Sequence, residues 1–295
     1  MARSTDIYRT DLPDTQWLER MYNNRMRVPD HGDYFVRWAA ESALARRSLP
    51  CELDVAYGSG PKETLDAFAA PRAGAPLVVF VHGGYWKALD KSQHSFIASA
   101  MHRLGAATVV PNYAFCPQLT VPQITLQMVH ATAWAWRHAK RLNADPRRIV
   151  VMGHSAGGHA VAMLMACAWP VVDAALPGNL VKAGLGLSGL YDLEPLMDVP
   201  SLQEVLRLTA DQVQDASPAR LPAPRHGRFV ALVGGDESGE YLRLNRLLQQ
   251  RWGRERVPLA QALPGLNHFS IVDALVTPGE ATHRVAARLL QSVAR

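Results

Sequence analysis

The chain has 295 residues, 48% of them hydrophobic, enough for one large α/β domain with a substantial buried core. Lysine and arginine outnumber aspartate and glutamate by 31 to 26, and the basic residues are scattered apart from short groups such as "RHAKR", so no stripe marks a nucleic-acid footprint. The cysteines, Cys51, Cys116 and Cys167, are odd in number, far apart and without a CxxC or CxxH partner, which argues against a disulfide framework and a structural zinc site and fits a reducing cytoplasm.

The opening "MARSTDIYRTDLPD" lacks the apolar core of a signal peptide, and no run approaches a membrane span, so a soluble, unprocessed protein without a membrane partner is expected. Residues 14–47 read as two helical pieces separated by "VPDHGD", with Trp17, Met21, Phe35, Trp38 and Ala39 in apolar spacing. This N-terminal segment, residues 1–50, is expected to act as a helical flap or cap, and its apolar surface would serve a homodimer contact as easily.

From Cys51 the pattern changes to short strands alternating with helices. The strands "ELDVAY", "ETLDAFA" and "PLVVFV" precede helix "SFIASAMHRL", strand "ATVVP" and helix "VPQITLQMVHATAWAWRHAKRL". Strand "RIVVM", helix "GHAVAMLMACA", and strands "AGLGLS" and "RFVALVG" come next, then helix "EYLRLNRLLQQRW", strand "LAQAL" and a last helix from Thr282. The Pro-rich stretch 215–228 reads as a surface connection. Such alternation predicts an α/β fold over residues 51–295, with a mainly parallel central sheet and helices on both faces. In sheets of this kind ligands gather at the carboxyl ends of the strands.

Gly153, His154, Ser155, Ala156 and Gly157 satisfy GxSxG directly after a strand and directly before a helix, the context of a nucleophile elbow. Small residues are needed because the turn is sharp, and the helix beyond Ser155 aims free amides at developing negative charge. A serine N-cap without chemistry is the alternative, and the strand-to-helix context weighs against it. Upstream, "VVFVHGGYW" ends another apolar strand with two glycines. An acyl-transfer serine needs backbone amides around the tetrahedral oxyanion, one after the nucleophile and others in an HGGG-type loop. Those would be Ala156 with Gly84 and Tyr85. His82 belongs to that loop and reads as a brace rather than a base.

A serine hydroxyl is a poor nucleophile until a base takes its proton, and behind an elbow of this kind the chain order is Ser, acid, His. "RFVALVGGDES" places Asp236 and Glu237 just after a strand, and "LPGLNHFSIV" places His268 in a loop after the strand "LAQAL". Spacing leaves the two carboxylates open. His283, inside the amphipathic last helix, reads as exposed surface, and His226 precedes the acid.

The segments "HGGYW", "NYAFCPQLTVPQI", "GHSAGGH", "SGLYDLEPL", "DESGEYLR" and "NHFSIVDAL", spread over residues 78–275, together resemble the kynurenine formamidase (arylformamidase) branch of the α/β-hydrolases, close to the hormone-sensitive-lipase-type esterases. GxSxG marks only the superfamily; HGGxW with the "YxxCPQ" and "SGLYDLEPL" segments is more specific. The resemblance implies an α/β-hydrolase catalytic domain acting on a small-molecule formamide of an aromatic amine such as N-formylkynurenine, with no metal or organic cofactor. It carries Ser155 and His268 onto the family's nucleophile and base. Matching "ESGEY" to the family's carboxylate, small residue, any residue, glutamate and aromatic selects Glu237, a glutamate in place of the usual aspartate. A carboxylesterase using the same triad is the first alternative, and a catalytically silent binding protein the second, against which the ordered set of catalytic residue types weighs.

Trp86, Tyr113 and Phe269, with Tyr85, adjoin these motifs and are expected to line an aromatic substrate pocket, ordinary packing being the alternative. "GLGLSG", residues 184–189, fits GxGxxG with Glu204 downstream, but Pro195 and Pro200 stand where a phosphate-binding helix would run, which argues against a dinucleotide.

Overall fold

The computed structural model describes residues 14–293; residues 1–13, most of the stretch read above for a leader, lie outside the described residues. In chain order the elements are α1 (Thr15–Tyr22), α2 (Asn24–Arg27), α3 (His31–Ser48), β1 (Cys51–Ala56), β2 (Thr64–Phe68), β3 (Ala75–Val81), α4 (Phe96–Arg103), β4 (Ala107–Pro111) and α5 (Val121–His138). They continue with β5 (Ala144–His154), α6 (Ala156–Ala166), α7 (Trp169–Val172), β6 (Val181–Leu187), α8 (Pro200–Leu206), α9 (Ala210–Ala216), β7 (Arg228–Gly234), α10 (Gly239–Arg256), β8 (Leu259–Leu263), α11 (Ser270–Val276) and α12 (Ala281–Ser292).

The strands form one sheet in the order β1-β2-β4-β3-β5-β6-β7-β8. Only β1 with β2 and β2 with β4 pair antiparallel; the remaining pairs are parallel. Successive side chains of a strand point to opposite faces, so a strand covered on both sides reads as a continuous apolar run. In β3, Leu77, Val79 and Val81 enter a core shared with α1, α5, α6 and α10, whereas Val78 and Phe80 enter a second core shared with α3, α4, α11 and α12.

The N-terminal segment joins both cores. Leu18 and Tyr22 of α1 are buried in the first and Trp38 of α3 in the second, so the chain between them, α2, passes from one face of the sheet to the other across the strand ends. Asp14 caps α1 through the Gln16 amide at 2.6 Å, and Asn23 closes α1 while its side chain accepts from the Met26 amide at 3.1 Å to start α2. The expected break at "VPDHGD" is shorter than its six letters, because α3 already begins at His31.

Three other readings are corrected by packing. The Pro-rich stretch is not all surface: Ala216, Ser217, Pro218 and Ala219 are buried, and the Trp252 indole N–H donates to the Pro218 carbonyl at 3.1 Å. His283 is buried rather than exposed, with Nδ1 3.0 Å from the Leu275 carbonyl, because α12 turns that face onto α11. The strand expected at "RIVVM" runs longer, through Ala144–His154. The glycines of "GLGLSG" lie in and after β6, where a Cβ on Gly186 would run into Tyr191 and Phe229; they admit aromatic rings, and no helix follows directly. Among the described residues no helix is long and apolar enough to cross a membrane.

Candidate active site

β5 is the sheet's central parallel strand and ends at His154; α6 starts at Ala156. Ser155 between them sits at φ 57°, ψ −118°, a conformation that non-glycine residues hold only where the surroundings over-determine it. The surroundings do so: the Ser155 amide donates to the Leu187 carbonyl at 2.8 Å, and a Cβ on Gly157 would collide with the Val81 carbonyl. The turn therefore brings the first residues of α6 against the end of β3.

That same strand end opens into the loop of His82–Trp86, whose Gly84, Tyr85 and Trp86 all have positive φ, 111°, 48° and 52°. Only a glycine fits at Gly84, where a Cβ would strike the Ala88 carbonyl. The loop is held by Tyr113, whose hydroxyl lies 3.0 Å from the His82 carbonyl and 2.9 Å from that of Gly83, and by the Cys116 amide donating to the Trp86 carbonyl at 2.8 Å. His82 is buried, stacks on Tyr113 at 4.4 Å and has Nδ1 2.8 Å from the Gly83 carbonyl; burial lowers its pKa, so it is a neutral brace. Among the described residues, the Gly84, Tyr85 and Ala156 amides find no acceptor, which leaves three donors free near the serine.

The second half of the site lies beyond β7 and β8. His268 Nδ1 is 2.7 Å from Glu237 Oε2. The other carboxylate oxygen, Oε1, accepts from the Gly234 amide at 2.7 Å and the Ser188 hydroxyl at 2.5 Å. Both residues are buried, Glu237 at 6% and His268 at 5% exposure, whereas Asp236 is exposed. The carboxylate thus holds the tautomer with the proton on Nδ1 and leaves Nε2 to act as a base. The backbone of His268 is held in turn by His154, whose Nε2 is 2.8 Å from the His268 carbonyl. Burial, reinforced by the neighbouring His268, pushes the His154 pKa well down, so this ring stays neutral.

Ser155, His268, Phe269, Gly84 and Tyr85 line one cavity of about 350 Å³. Its other walls come from the N-terminal segment, among them Asn24, Arg25 and Phe35, from Lys87, Ala88 and Leu89, and from Val199, Ser201 and Leu202 at the start of α8. The structure therefore brings together Ser155, Glu237 and His268, with Phe269 beside them and the amides of the proposed oxyanion loop. It does not bring Trp86 or Tyr113 to the cavity. Trp86, 2% exposed, meets the His159 ring edge to face at 5.1 Å, and Tyr113, 1% exposed, lies beneath the loop it holds. The left-handed backbone at Tyr85 and Trp86 turns the indole into the core, which adjacency in sequence does not reveal.

Other residues of the site are not marked by the sequence motifs. Tyr241, in the first turn of α10, has its ring 4.8 Å from that of His268, and its hydroxyl lies 2.6 Å from that of Tyr85. The "GEY" match pointed to an aromatic there but not to its hydroxyl. Asn24 and Tyr22 lie in no motif, and Ser188, which opens "SGLYDLEPL", carries no sign in sequence that its hydroxyl meets Glu237. Among the described residues no group of three or more His, Cys, Asp or Glu side chains is placed to hold a metal ion.

Residues 65–176, which include the loop and the elbow, match the family model BD-FAE. The chain is similar to a kynurenine formamidase of Salmo salar, 25% identical over 288 residues and 94% of each chain. It is similar to the esterase LipC of Mycobacterium tuberculosis, 26% identical over 316 residues, 97% of this chain and 77% of LipC. A solved Silicibacter structure, provisionally called a thioesterase, is 30% identical over 93% of this chain and 98% of its own, with a TM-score of 0.82.

Proposed function

The chain belongs to the α/β-hydrolase superfamily, in its kynurenine formamidase-like branch beside the hormone-sensitive-lipase-type esterases, and from that premise we propose that this hydrolase cleaves the formamide of an aromatic amine through a formyl-enzyme on Ser155. The observation that carries the reading is the buried Glu237–His268 pair, opening with the elbow serine into a cavity of about 350 Å³ walled by Phe35, Tyr85 and Phe269. That volume is at the small end for ligand sites, and its aromatic walls suit one substituted ring.

In this reading Ser155 Oγ attacks the formyl carbonyl while its proton passes to His268 Nε2. Glu237 stabilises the imidazolium through Nδ1, and the amides of Gly84, Tyr85 and Ala156 receive the oxyanion. Collapse breaks the C–N bond, and His268 returns the proton to the departing arylamine. Water, deprotonated by His268, then attacks the formyl ester and releases formate and free serine. The aryl ring withdraws the nitrogen lone pair and so makes both the attack and the departure easier than for an alkyl amide. Three free thiols, Cys51, Cys116 and Cys167, support a reducing compartment such as the cytoplasm for this enzyme.

A carboxylesterase is the second reading, favoured by the likeness to LipC over nearly the whole chain. Comparing kcat/KM for N-formylkynurenine and p-nitrophenyl acetate separates the two. Preference for the formamide supports the proposal; turnover of the ester alone overturns it in favour of the esterase.

A further inference from the structure

The cavity in front of Ser155 carries charge of one sign at its walls. Arg25 and Lys87 line it, and no aspartate or glutamate does. The acids behind those walls are engaged elsewhere. Glu19 accepts from the Ser201 hydroxyl at 2.6 Å and from the Ser201 amide at 3.3 Å, and Glu240 accepts from the Tyr22 hydroxyl at 2.9 Å and pairs with Arg243 at 2.9 Å. Lys87 Nζ donates to the Ser201 carbonyl at 3.1 Å. Among the described residues, neither Arg25 nor Lys87 has a carboxylate within ion-pair distance.

Arg25 is held in place on both its side chain and its backbone. Its guanidinium carbon stands 5.6 Å from the centre of the Phe35 ring, within reach of a cation–π contact. Phe35 meets Phe269 edge to face at 5.5 Å, and Phe269 meets the His268 ring edge to face at 5.5 Å, so one aromatic wall runs from the base to the guanidinium. The backbone of α2 is fixed by Asn24, whose Nδ2 donates to Tyr241 Oη at 2.9 Å, and by Asn23, whose side chain accepts from the Met26 amide at 3.1 Å. Asn24 is buried and Arg25 exposed, so α2 puts its anchor inside and its cation at the mouth of the cavity.

We propose that Arg25 is a specificity-determining residue that receives a carboxylate on the substrate's leaving group, so that the cavity selects anionic aromatic substrates over neutral ones of similar shape. The inference deepens the proposed function and rests on Ser155 hydrolysing its substrate in this cavity. A formyl group has only a hydrogen where a larger acyl group has a chain, so it carries no charge, and the anion must belong to the amine that leaves. With the formyl carbon at Ser155 and the ring along Phe269 and Phe35, a carboxylate on a side chain of that ring meets the guanidinium, whose paired N–H groups match the two carboxylate oxygens. Lys87 adds a second positive charge from the loop after Gly84, and no acid in the lining opposes the anion.

The test uses the full chain and two matched pairs of substrates, N-formylkynurenine with formanilide and 3-acetoxybenzoate with phenyl acetate. The quantity read is selectivity, kcat/KM of the carboxylated member over that of the neutral one; comparing each variant with the parent cancels the intrinsic reactivity of the substrates. Arg25→Gln should lower selectivity by at least about fivefold, chiefly through KM of the carboxylated member, since a bidentate charge-assisted contact exceeds an ordinary solvated ion pair. Arg25→Glu should lower it further, and Arg25→Lys, which keeps the charge, should lower it less than Arg25→Gln. Equal losses on both members of a pair, unchanged selectivity in Arg25→Gln and Arg25→Glu, or a reversed order of the lysine and glutamate variants each overturn the proposal. The two readings fail separately. If only the esters are turned over and they show the expected order, the formamide reading falls and the role of Arg25 stands; formamide turnover with unchanged selectivity removes only the role of Arg25. Turnover of none of the four overturns both.

Discussion

Glu237 grips His268 with one carboxylate oxygen and is itself gripped by the other, Oε2 facing Nδ1 at 2.7 Å and Oε1 taking the Gly234 amide at 2.7 Å and the Ser188 hydroxyl at 2.5 Å. An amide in place of the carboxylate has only one accepting oxygen to share between these two sides. In Glu237→Gln the Gly234 N–H, which can only donate, would claim that oxygen and turn the NH₂ toward His268. The imidazole would then carry its proton on Nε2 and could not deprotonate Ser155. A fall in kcat of about 10³- to 10⁴-fold is expected. Asp236→Asn, at an exposed position, should stay within about twofold of the parent. Steady-state kinetics of the two variants check the assignment, and the reverse pattern would move the acid to Asp236.

Ser155→Ala should keep the fold, since alanine fills the same backbone position, while kcat drops by at least about 10³-fold because nucleophile and base act as a unit. A fluorophosphonate probe should label the parent and leave Ser155→Ala unlabelled. Label found on another serine by peptide mass mapping would show that the elbow is not the reactive site.

Trp86 and Tyr113 should behave as supports of the loop and not as substrate contacts. Trp86→Ala empties a buried site against His159 and is expected to cost about 3–5 kcal/mol of stability, read as a lowered unfolding midpoint in urea. Tyr113→Phe keeps the ring stacked on His82 but removes the hydroxyl that holds the His82 and Gly83 carbonyls. Its kcat should fall by about threefold to tenfold through a looser oxyanion loop, with KM unchanged. A KM effect without a kcat effect would return Tyr113 to the substrate.

Burial lowers the pKa of His159 from 6.5 to about 4, only partly countered by its hydrogen bond, Nε2 standing 2.6 Å from the Ala216 carbonyl. Between those values the unfolded chain binds the proton that the folded chain refuses, so stability rises with pH across the window and is lost as pH falls from about 6.5 toward 4. At pH 5 the loss from this one group is on the order of 2 kcal/mol. Thermal unfolding of the parent should therefore weaken on acidification through this range. His159→Gln, which keeps a donor for Ala216 but cannot titrate, should flatten the slope; an unchanged slope would exclude His159 as its source.

How much of this was legible in the chain follows from the range of the forces involved. The elbow could be read because a sharp strand-to-helix turn demands small residues within two positions of the serine, and Gly157 meets the Val81 carbonyl too closely for any Cβ. The parallel sheet could be read because strands covered on both faces must be apolar throughout, as β3 is. These are constraints between neighbours in sequence, and periodicity records them. The carboxylate that faces His268 was settled in sequence only by resemblance; in the structure it is settled by the turn after β7, which points Glu237 inward to Ser188 and Asp236 outward. Trp86 ends the His82–Trp86 loop yet faces the core, because a left-handed backbone reverses its side chain. Asn24 meets Tyr241 across 217 positions, and nothing in either residue's neighbourhood signals the other. That contact exists because Leu18 and Trp38 bury themselves on opposite faces of the sheet, which forces the short α2 between them to cross the strand ends above the serine. Local sterics decided the turn at Ser155, and only the packing of distant apolar surfaces decided what stands around it.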